Sequence, residues 1–532
     1  DWLLDLLPVD FAADAITRLT LDSAPKKLRL FHLANAKARH WRELILWMSL
    51  YGYDMQLIPY EQWLLLLKHD VRRSKDHPLR ELLPFFSNRP DGQNGLYLPE
   101  LYEEPRRRNV RFDATREQLQ QAGLRCPPLS TRLLDLYFES YINRSFLPRV
   151  DGRMSHADSS PAFDESLFRD ITGTDVIRAE PLEFAAANSV IGELTSWKYG
   201  RSIGLHRYRL QFARPSRECD VVVKVKARDT DVTAVGQTIA SLCGSALGTA
   251  YQSYSDCLGL SECGRRELAM YQRGDARFRR FTPEFFGGKT DDDRTVLILE
   301  NVSGLEMMDS VDSIDAWDAG YIEAAIKGIA QLHAIHFGRV SSAEDDNRFA
   351  GASDLWTALA EHAAPIFSQW IGPEVRSVQT ALLQRVRDIA ILRQRLPATW
   401  IHNDFNPRNL GFRRVNGELR LCAYDWELAT AGLPQHDLAE LLCFVLPAEV
   451  DEHALFHYID LHRTELETAS GLRIDDSSWK LGFRLSLYDL MINRLPAYAM
   501  IHHLHKQHFL ERVVRTWKGL FDVISSAVSP LF

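Results

Sequence analysis

The sequence has no apolar run long enough to cross a membrane, no Cys-x-x-Cys pair and no excess of basic over acidic residues. A transmembrane helix needs about 20 consecutive, mostly apolar residues, so no membrane segment is expected. Seven cysteines without metal-type spacing predict reduced thiols, with neither disulfides nor a zinc site. The net charge of −8 and the scattered arginines argue against a phosphate-backbone binder, so nucleic acid is not an expected partner.

The opening segment, DWLLDLLPVD, also lacks the basic start and the small-residue cleavage site of a secretory signal. We therefore expect a soluble protein of the cytoplasm that has no membrane partner. The chain has 532 residues, of which 45% are apolar and 25% are charged. This is enough apolar material for roughly two to four domains.

A polar segment, DGRMSHADSSPAFDE, separates two parts of the chain. Its Gly, Ser, Asp and Pro content is typical of a linker, so we predict one domain over 1–150 and a linker over 151–173. Beyond it, HRYRLQFA, CDVVVKVKA and RTVLILENV alternate in polarity and predict half-buried antiparallel strands. Helical periodicity dominates after Ser310. The expected fold is α+β, with a small antiparallel-sheet lobe over 174–303 and a larger helical lobe over 304–532.

The segments WIHNDFNPRNLGF and LRLCAYDWELATAG hold three polar side chains suited to phosphoryl transfer, Asp404, Asn409 and Asp425. Transfer from ATP needs a carboxylate near the accepting hydroxyl group and oxygen ligands that hold magnesium against the phosphates. Asp404 and Asn409 lie on one loop, and Asp425 follows the predicted strand LRLCAY. A hairpin turn at Asn416 and Gly417 would bring the three side chains together.

Upstream, the strand CDVVVKVKA places two lysines, Lys224 and Lys226, on the face opposite Val221, Val223 and Val225. A kinase needs a strand lysine for the α- and β-phosphates and a helical glutamate that holds this lysine. Either lysine could face a nucleotide, and Lys224 fits better because valines flank it. The alternative is a strand whose lysines face solvent.

In order and kind, these segments resemble the aminoglycoside phosphotransferase and choline kinase families, which are relatives of protein kinases. The resemblance implies a bilobal, protein-kinase-like fold over 174–532 that transfers a phosphoryl group from ATP, with Mg²⁺, to the hydroxyl group of a small molecule. The resemblance implies that Asp404 is the catalytic base or the residue that orients the acceptor, and that Asn409 and Asp425 bind the magnesium ion. His402 and Asp437 would support the catalytic loop.

The resemblance also implies a nucleotide site around the catalytic residue Lys224. Glu267, in GRRELAMYQR, would be the helical partner of the lysine, and the backbone after TVLILE would bind adenine. Small residues between two predicted strands, Ser196 to Gly204, would cover the phosphates, although an ordinary hairpin turn is equally compatible with them. The expected nucleotide-binding residues are Lys224, Glu267, Glu300, Asn301, Val302 and Ser202.

The first 150 residues resemble the C-terminal part of thioester reductase domains, which are extended short-chain dehydrogenases of nonribosomal peptide synthetase-like enzymes. The segments LDLLPVDFAADAITRL and CPPLSTRLLDLYFESYINRSFLP carry this resemblance. It implies a partial α/β reductase subdomain that belongs to a longer enzyme with upstream carrier and reductase domains. The nucleotide-binding glycine motif and the Tyr-x-x-x-Lys pair of that family do not occur, so no hydride chemistry is expected here. An independent helical domain is the alternative.

Two alternatives to an active kinase remain open. The kinase-like part could be a catalytically silent interaction or regulatory module. The measurable activity could then belong to an NADPH-dependent thioester reductase to which this module is attached. Because all the expected polar residues are retained, the sequence favours the active kinase.

Overall fold

The chain forms two compact units, Asp1–Arg153 and Met154–Phe532. A computed structural model of the protein describes residues 3–21, 29–35, 39–90, 95, 97–99, 111–150, 163–182, 190–199, 203–214, 216–291 and 294–527.

Unit 1 is largely helical in its described part. In helix α1, Phe11, Ala15 and Leu19 recur every four residues and form one buried face, which packs with Leu119. The helices are α1 (Val9–Leu21), α2 (Trp41–Tyr51), α3 (Tyr60–Arg73), α4 (Leu83–Ser87), α5 (Asp113–Gln121) and α6 (Thr131–Asn143). Strands β1 (Leu3–Leu4) and β2 (Arg39–His40) form a two-stranded antiparallel pair. The described residues show no larger sheet in this unit, and the assignment to a thioester reductase stays a prediction.

Unit 2 begins with a lobe built on a five-stranded antiparallel sheet in the order β3-β4-β5-β7-β6. Its strands are β3 (Val176–Leu182), β4 (Gly204–Phe212), β5 (Arg217–Val225), β6 (Phe285–Asp291) and β7 (Arg294–Glu300). Val221, Val223 and Val225 are buried in the core on one face, as the alternating pattern predicts. Lys224 and Lys226 therefore lie on the opposite face.

Helix α7 (Glu165–Thr172) lies inside the predicted linker and belongs to the sheet lobe. Its Phe168 is 1% exposed and packs in the same core as Val176 and Tyr208. The side chain of Asp164 caps the helix at its first turn, and Gly173 ends it in the left-handed conformation. The sheet lobe thus starts before residue 174, because the polar composition of the segment conceals a short amphipathic helix.

Helix α8 (Val190–Tyr199) replaces one of the two strands expected around the phosphate-covering loop. Leu194 and Trp197 are three residues apart and both are buried, which is the spacing of a helix face. Ser196 therefore lies in a helix, and the expectation that it belongs to a strand-flanked loop is wrong. Ser202 lies outside the described residues.

Four helices connect β5 to β6: α9 (Asp229–Cys243), α10 (Ser245–Tyr254), α11 (Cys263–Gln272) and α12 (Ala276–Arg279). Helix α11 packs against β6 and β7. Gly264 allows this close approach, because a Cβ atom there would lie 2.7 Å from Thr295 Oγ1 and 3.3 Å from Lys226 Cβ. Helix α11 is thereby held beside the strand face that carries the lysines.

The second lobe is mainly helical, as predicted. Its helices are α13 (Ala319–His333), α14 (Ala343–Gly351), α15 (Ser353–Ile371), α16 (Val375–Gln384), α17 (Val386–Gln394), α18 (Gln435–Val445), α19 (Glu452–Ser470), α20 (Asp476–Asp489), α21 (Leu495–Leu504) and α22 (Leu510–Ala527). A π-helical turn, Leu490–Arg494, joins α20 to α21. Every residue of α18 is buried, so this helix is the centre of the lobe.

Two small antiparallel pairs in this lobe carry the polar motifs. Strand β8 (Thr399–Ile401) pairs with β11 (Thr430–Gly432), and β9 (Leu410–Val415) pairs with β10 (Glu418–Ala423). The hairpin between β9 and β10 turns at Asn416 and Gly417, both of which have positive φ, as the sequence predicts. The loops after β8 and after β10 therefore open side by side.

Among the helices that the structure describes, none combines the length and the apolar character needed to span a bilayer.

Candidate active site

Lys224 on β5 forms ion pairs with two carboxylates from different parts of unit 2. Its Nζ atom lies 2.9 Å from Glu267 Oε2 and 2.6 Å from Asp425 Oδ1. Glu267 is on α11 and is fully buried. A strand, a helix and the loop after β10 thus converge on one lysine.

Lys226 joins the same cluster from the next position on this strand face. Its Nζ atom lies 3.4 Å from Glu267 Oε2 and 3.8 Å from Asp425 Oδ1, and it contacts Glu427 Oε2. Both lysines therefore face the carboxylates of Glu267 and Asp425. Lys224 has the shorter contacts to Glu267 and Asp425, whereas Glu427 is a partner of Lys226.

The charges in this cluster set the protonation of the carboxylate that the sequence assigns to magnesium. Burial would raise the pKa of Asp425, but the nearby Lys224 and Lys226 outweigh burial and hold this pKa below its usual value. Burial would likewise lower the pKa of Lys224, but Asp425 and Glu267 raise it above its usual value. Asp425 is thus an anion that faces cations at neutral pH.

The loop after β8 holds the Asp404 carboxylate with several donors. Asn409 Nδ2 donates to Asp404 Oδ2 at 2.6 Å and to the Asp404 carbonyl oxygen at 2.9 Å. Asn406 Nδ2 donates to Asp404 Oδ1 at 2.9 Å, and the hydroxyl group of Tyr498 donates to the same oxygen at 3.0 Å. The side chain of Asp404 remains 21% exposed, so a small molecule can still reach it.

Two arginines compensate for the burial of Asp404. Burial would raise the pKa of this carboxyl group, but the charges of Arg408 and Arg494 outweigh burial and keep the pKa below its usual value. Arg408 Nη2 lies 3.6 Å from Asp404 Oδ1. Asp404 is therefore ionised at neutral pH and can accept a hydrogen bond from a hydroxyl group.

The Asp404 loop and Asp425 are adjacent in space. The Tyr424 amide group donates to the carbonyl oxygen of Asn409 at 2.9 Å, which fixes the chain before Asp425 beside the end of the loop. Asn403 and Asp425 both have positive φ, near 61° and 65°. Such backbone conformations are costly for residues other than glycine and often occur at functional sites.

A buried carboxylate, Asp437 on α18, holds the start of this loop. Asp437 accepts hydrogen bonds from the amide groups of His402 at 2.7 Å and Asn403 at 2.8 Å, and its Oδ2 lies 3.0 Å from His333 Nε2. His402 Nε2 lies 2.9 Å from the carbonyl oxygen of Tyr424. These contacts agree with the supporting roles predicted for His402 and Asp437.

The segment predicted to bind adenine follows strand β7. The amide group of Glu300 donates to the Glu284 carbonyl oxygen at 2.9 Å, and that of Asn301 donates to the Asp220 carbonyl oxygen at 3.3 Å. Among the described residues, no acceptor meets the amide group of Val302. Val302 is therefore the position of the predicted trio, Glu300 to Val302, whose amide group can bind a ligand.

One group of carboxylates is close enough to hold a metal ion. Glu267, Asp425 and Glu427 each place an oxygen within 4.8 Å of the others, but the two lysines lie among them. The sequence instead predicts that Asp425 and Asn409 hold the metal ion. The side-chain nitrogen of Asn409 binds Asp404, so its Oδ1 is the side-chain atom that can face a metal.

Several residues of the site escaped the sequence analysis. Glu427 lies two positions after Asp425, and this short spacing could have predicted that its carboxylate is close to the lysines. Arg408 lies within the Asp404 loop. Tyr498 and Arg494 come from a distant part of the chain with no motif, and only the folded lobe brings them to Asp404.

Residues 263–468 match the sequence model of the phosphotransferase enzyme family. No curated protein sequence matches the chain. Among solved structures, a protein assigned as an aminoglycoside phosphotransferase from Ralstonia eutropha JMP134 is 14% identical, with a TM-score of 0.38 over 68% of this chain and 96% of that one. A protein assigned as a fructosamine-3-kinase from Haemophilus somnus 129PT is 12% identical, with a TM-score of 0.32 over 68% of this chain and 96% of that one.

A microcompartment-associated aminopropanol kinase is 16% identical, with a TM-score of 0.31 over 59% of this chain and 86% of that one. The family match includes Glu267, Asp404, Asn409 and Asp425, and it begins after Lys224. Residues 263–468 of this chain are therefore similar in sequence to the phosphotransferase enzyme family.

Proposed function

We propose that unit 2 transfers the γ-phosphoryl group of ATP to the hydroxyl group of a small molecule. The observation that carries this proposal is the meeting of Lys224, Glu267 and Asp425 beside the loop of Asp404 and Asn409. Phosphoryl transfer relies on positioning and electrostatic stabilisation, and these residues would supply a fixed cation, an ionised carboxylate and metal ligands beside one another. The match of residues 263–468 to the phosphotransferase family supports it.

In the proposed reaction, Asp404 accepts a hydrogen bond from the acceptor hydroxyl group. The hydroxyl oxygen forms a bond to the γ-phosphorus as the bond from that phosphorus to the β,γ-bridging oxygen breaks. ADP leaves, and the hydroxyl proton passes to Asp404 and then to solvent. The lowered pKa of Asp404 suits this role, since the carboxylate is ionised before the acceptor arrives.

Lys224 would bind the α- and β-phosphates of the nucleotide while Glu267 holds its ammonium group. Glu267 is suited to this because it is fully buried and lies 2.9 Å from the lysine. The amide group of Val302, after β7, would bind the adenine ring. Glu300 and Asn301 would contribute to the shape of this segment.

The proposed cofactor is magnesium, and the donor set fits it. Asp425 is ionised and already accepts a cation, Lys224 Nζ, at 2.6 Å. Asn409 offers a neutral side-chain oxygen, and its backbone is hydrogen-bonded to Tyr424, the residue before Asp425. When bound, magnesium would neutralise charge on the phosphate oxygens. Lys224 would then leave Asp425 for the phosphates.

The test is a screen of ADP release from magnesium–ATP by the whole chain. The panel contains amino alcohols, choline-like amines, aminoglycosides and sugars. Asp404→Asn is the inactive comparison, and Asp522→Asn is the matched control because Asp522 is an exposed partner of Lys518. We expect at least one hydroxyl compound to stimulate ADP release by the wild type and by Asp522→Asn only.

A wild-type protein that releases no ADP with any compound, and that binds no magnesium–ATP in a titration, would contradict the proposal. It would favour the silent interaction module. A protein that binds magnesium–ATP and turns it over only with compounds outside the panel would widen the acceptor class and leave the reaction type intact.

We propose, from the sequence resemblance alone, that unit 1 is the C-terminal part of a thioester reductase that works with carrier and reductase domains. The acceptor would then be an alcohol that the reductase makes from a tethered acyl group. The test is NADPH oxidation by a chain extended upstream to include a nucleotide-binding half. An extended chain without such a half would remove this proposal and leave the phosphotransferase proposal untouched.

A further inference from the structure

Helix α21 reaches the catalytic loop through the side chain of Tyr498. The hydroxyl group of Tyr498 donates to Asp404 Oδ1 at 3.0 Å and accepts a hydrogen bond from Arg408 Nη2 at 2.8 Å. Asn406 also donates to Oδ1, so two donors hold this oxygen. Among the described residues, Oδ2 accepts only from Asn409, which leaves Oδ2 as the oxygen that can accept from a substrate.

The π-helical turn before α21 explains why Tyr498 faces the loop. Arg494, at the end of this turn, donates to the carbonyl oxygen of Asn403, and Tyr498 lies one helical turn later on the same face. An added residue rotates the following helix by about 100° relative to the preceding one. The π-helical turn therefore shifts the face of α21 that carries Tyr498 relative to α20.

The partners of Tyr498 are themselves held in place. The guanidinium group of Arg408 lies 5.7 Å from the ring of Phe444, 5.3 Å from that of Tyr498 and 5.0 Å from that of Phe509. Its Nε atom donates to Asn406 Oδ1 at 2.9 Å. Arg408 thus fixes both residues that bind Asp404 Oδ1.

Helix α21 is also anchored on its other side. The Cys243 thiol group at the end of α9 donates to the carbonyl oxygen of Met500 at 3.4 Å. Helix α9 follows β5, the strand that carries Lys224. The hydroxyl group of Tyr498 therefore approaches Asp404 from a rigid frame, as precise positioning of a reactive group requires.

We propose that Tyr498 is a positioning residue that orients Asp404 toward the acceptor hydroxyl group, and that Arg408 holds the Tyr498 hydroxyl group for this purpose. This inference rests on the proposed phosphotransferase function. Tyr498 acts through Asp404 and does not need to touch the acceptor. Loss of its hydroxyl group would leave Oδ1 with Asn406 as its remaining donor, so the carboxylate would be held less firmly and the chemical step would slow. The nucleotide, held at Lys224, would bind as before.

The experiment is a double-mutant cycle with Tyr498→Phe and Asp404→Asn in the whole chain. ADP release from magnesium–ATP is measured with the most active acceptor of the screen and with water. Tyr498→Phe should lower kcat by about 10- to 100-fold, the value of one hydrogen bond to a charged group. The KM for ATP should change less than about two-fold, because the lost interaction serves the transition state.

The cycle separates positioning from a general structural role. If Tyr498 acts through Asp404, the double variant should be no slower than Asp404→Asn alone. Tyr488→Phe is the matched control, since Tyr488 on α20 is 8% exposed and packs against Phe521. It should keep wild-type kcat. Arg408→Lys, which keeps the charge but loses the planar fork, should lower kcat in the same way as Tyr498→Phe.

An active wild type with unchanged kcat in Tyr498→Phe would overturn the inference and leave the proposed function standing. The inference is also wrong if Tyr498→Phe slows Asp404→Asn by the same factor as it slows the wild type. If Tyr498→Phe does not fold, Arg408→Lys replaces it. Its kcat is then compared with that of the wild type, and the kcat of the double variant with Asp404→Asn is compared with that of Asp404→Asn alone. A wild type that releases no ADP with any compound and binds no magnesium–ATP would remove the proposed function, and the inference with it.

Discussion

Replacing Glu267 by glutamine removes one charge from the buried cluster and keeps the shape of the side chain. Glu267 is fully buried, and its partners Lys224 and Lys226 are only 12% and 13% exposed. Breaking a buried ion pair on one side costs about 3–5 kcal/mol, and we expect about 3 kcal/mol because Lys224 keeps Asp425. Urea unfolding of the whole chain, followed by circular dichroism, measures this loss.

The same substitution should impair use of the nucleotide. A hydrogen bond to a charged group contributes about 1.5–3 kcal/mol, so kcat/KM for ATP should fall by about 10- to 100-fold. Glu511→Gln is the matched control. Glu511 is 49% exposed and pairs with Arg515 on the surface, so its loss should cost less than about 1 kcal/mol. If Glu267→Gln were as stable and as active as Glu511→Gln, Lys224 would be positioned without Glu267.

Three further predictions follow from the loop support, the helix contact and the two lysines. Burial would raise the pKa of Asp437, but its hydrogen bond to His333 and nearby charges lower this pKa below its usual value. The ionised form of Asp437 therefore stabilises the fold above about pH 4, and this stabilisation is lost as the pH falls through the folded-state pKa. Asp437→Asn should therefore be less stable at pH 7, with a shallower loss of stability in an acid titration of unfolding; an unchanged titration would contradict this. Gly264→Val should push α11 away from Thr295 and lower kcat/KM for ATP, whereas an active variant would mean that the close helix contact is dispensable. Lys224→Ala should weaken phosphate positioning more than Lys226→Ala in ATP titrations, and the reverse order would assign the nucleotide to Lys226.

Strand β5 and the hairpin between β9 and β10 were predictable because their signals are local. Val221, Val223 and Val225 alternate with polar residues, and one side of β5 is buried accordingly. The turn at Asn416 and Gly417 follows from residues that tolerate positive φ. Both signals depend on neighbouring residues only, so the fold around Lys224 and Asp425 could be predicted from the sequence.

Other parts of the fold could not be predicted, because the composition of a segment was misleading or because the contacting residues are far apart in the sequence. Helix α7 has a capping Asp164 and a terminating Gly173, but polar neighbours made the whole segment look like a linker. Tyr498 and Asp404 are 94 residues apart in the sequence, and the π-helical turn before α21 has no sequence signature of its own. Such tertiary contacts arise from packing, which periodicity does not reveal.

The central claim, that Asp404 serves phosphoryl transfer, is tested most directly by Asp404→Asn. This variant keeps the shape of the side chain and removes its charge. A positioned proton-transfer group contributes about 10²- to 10⁴-fold in rate, so kcat should fall by this factor. A titration of the same protein with magnesium–ATP should give nearly wild-type affinity, since the proposed partner of Asp404 is the acceptor hydroxyl group. An Asp404→Asn protein with wild-type kcat would show that the chemistry lies elsewhere.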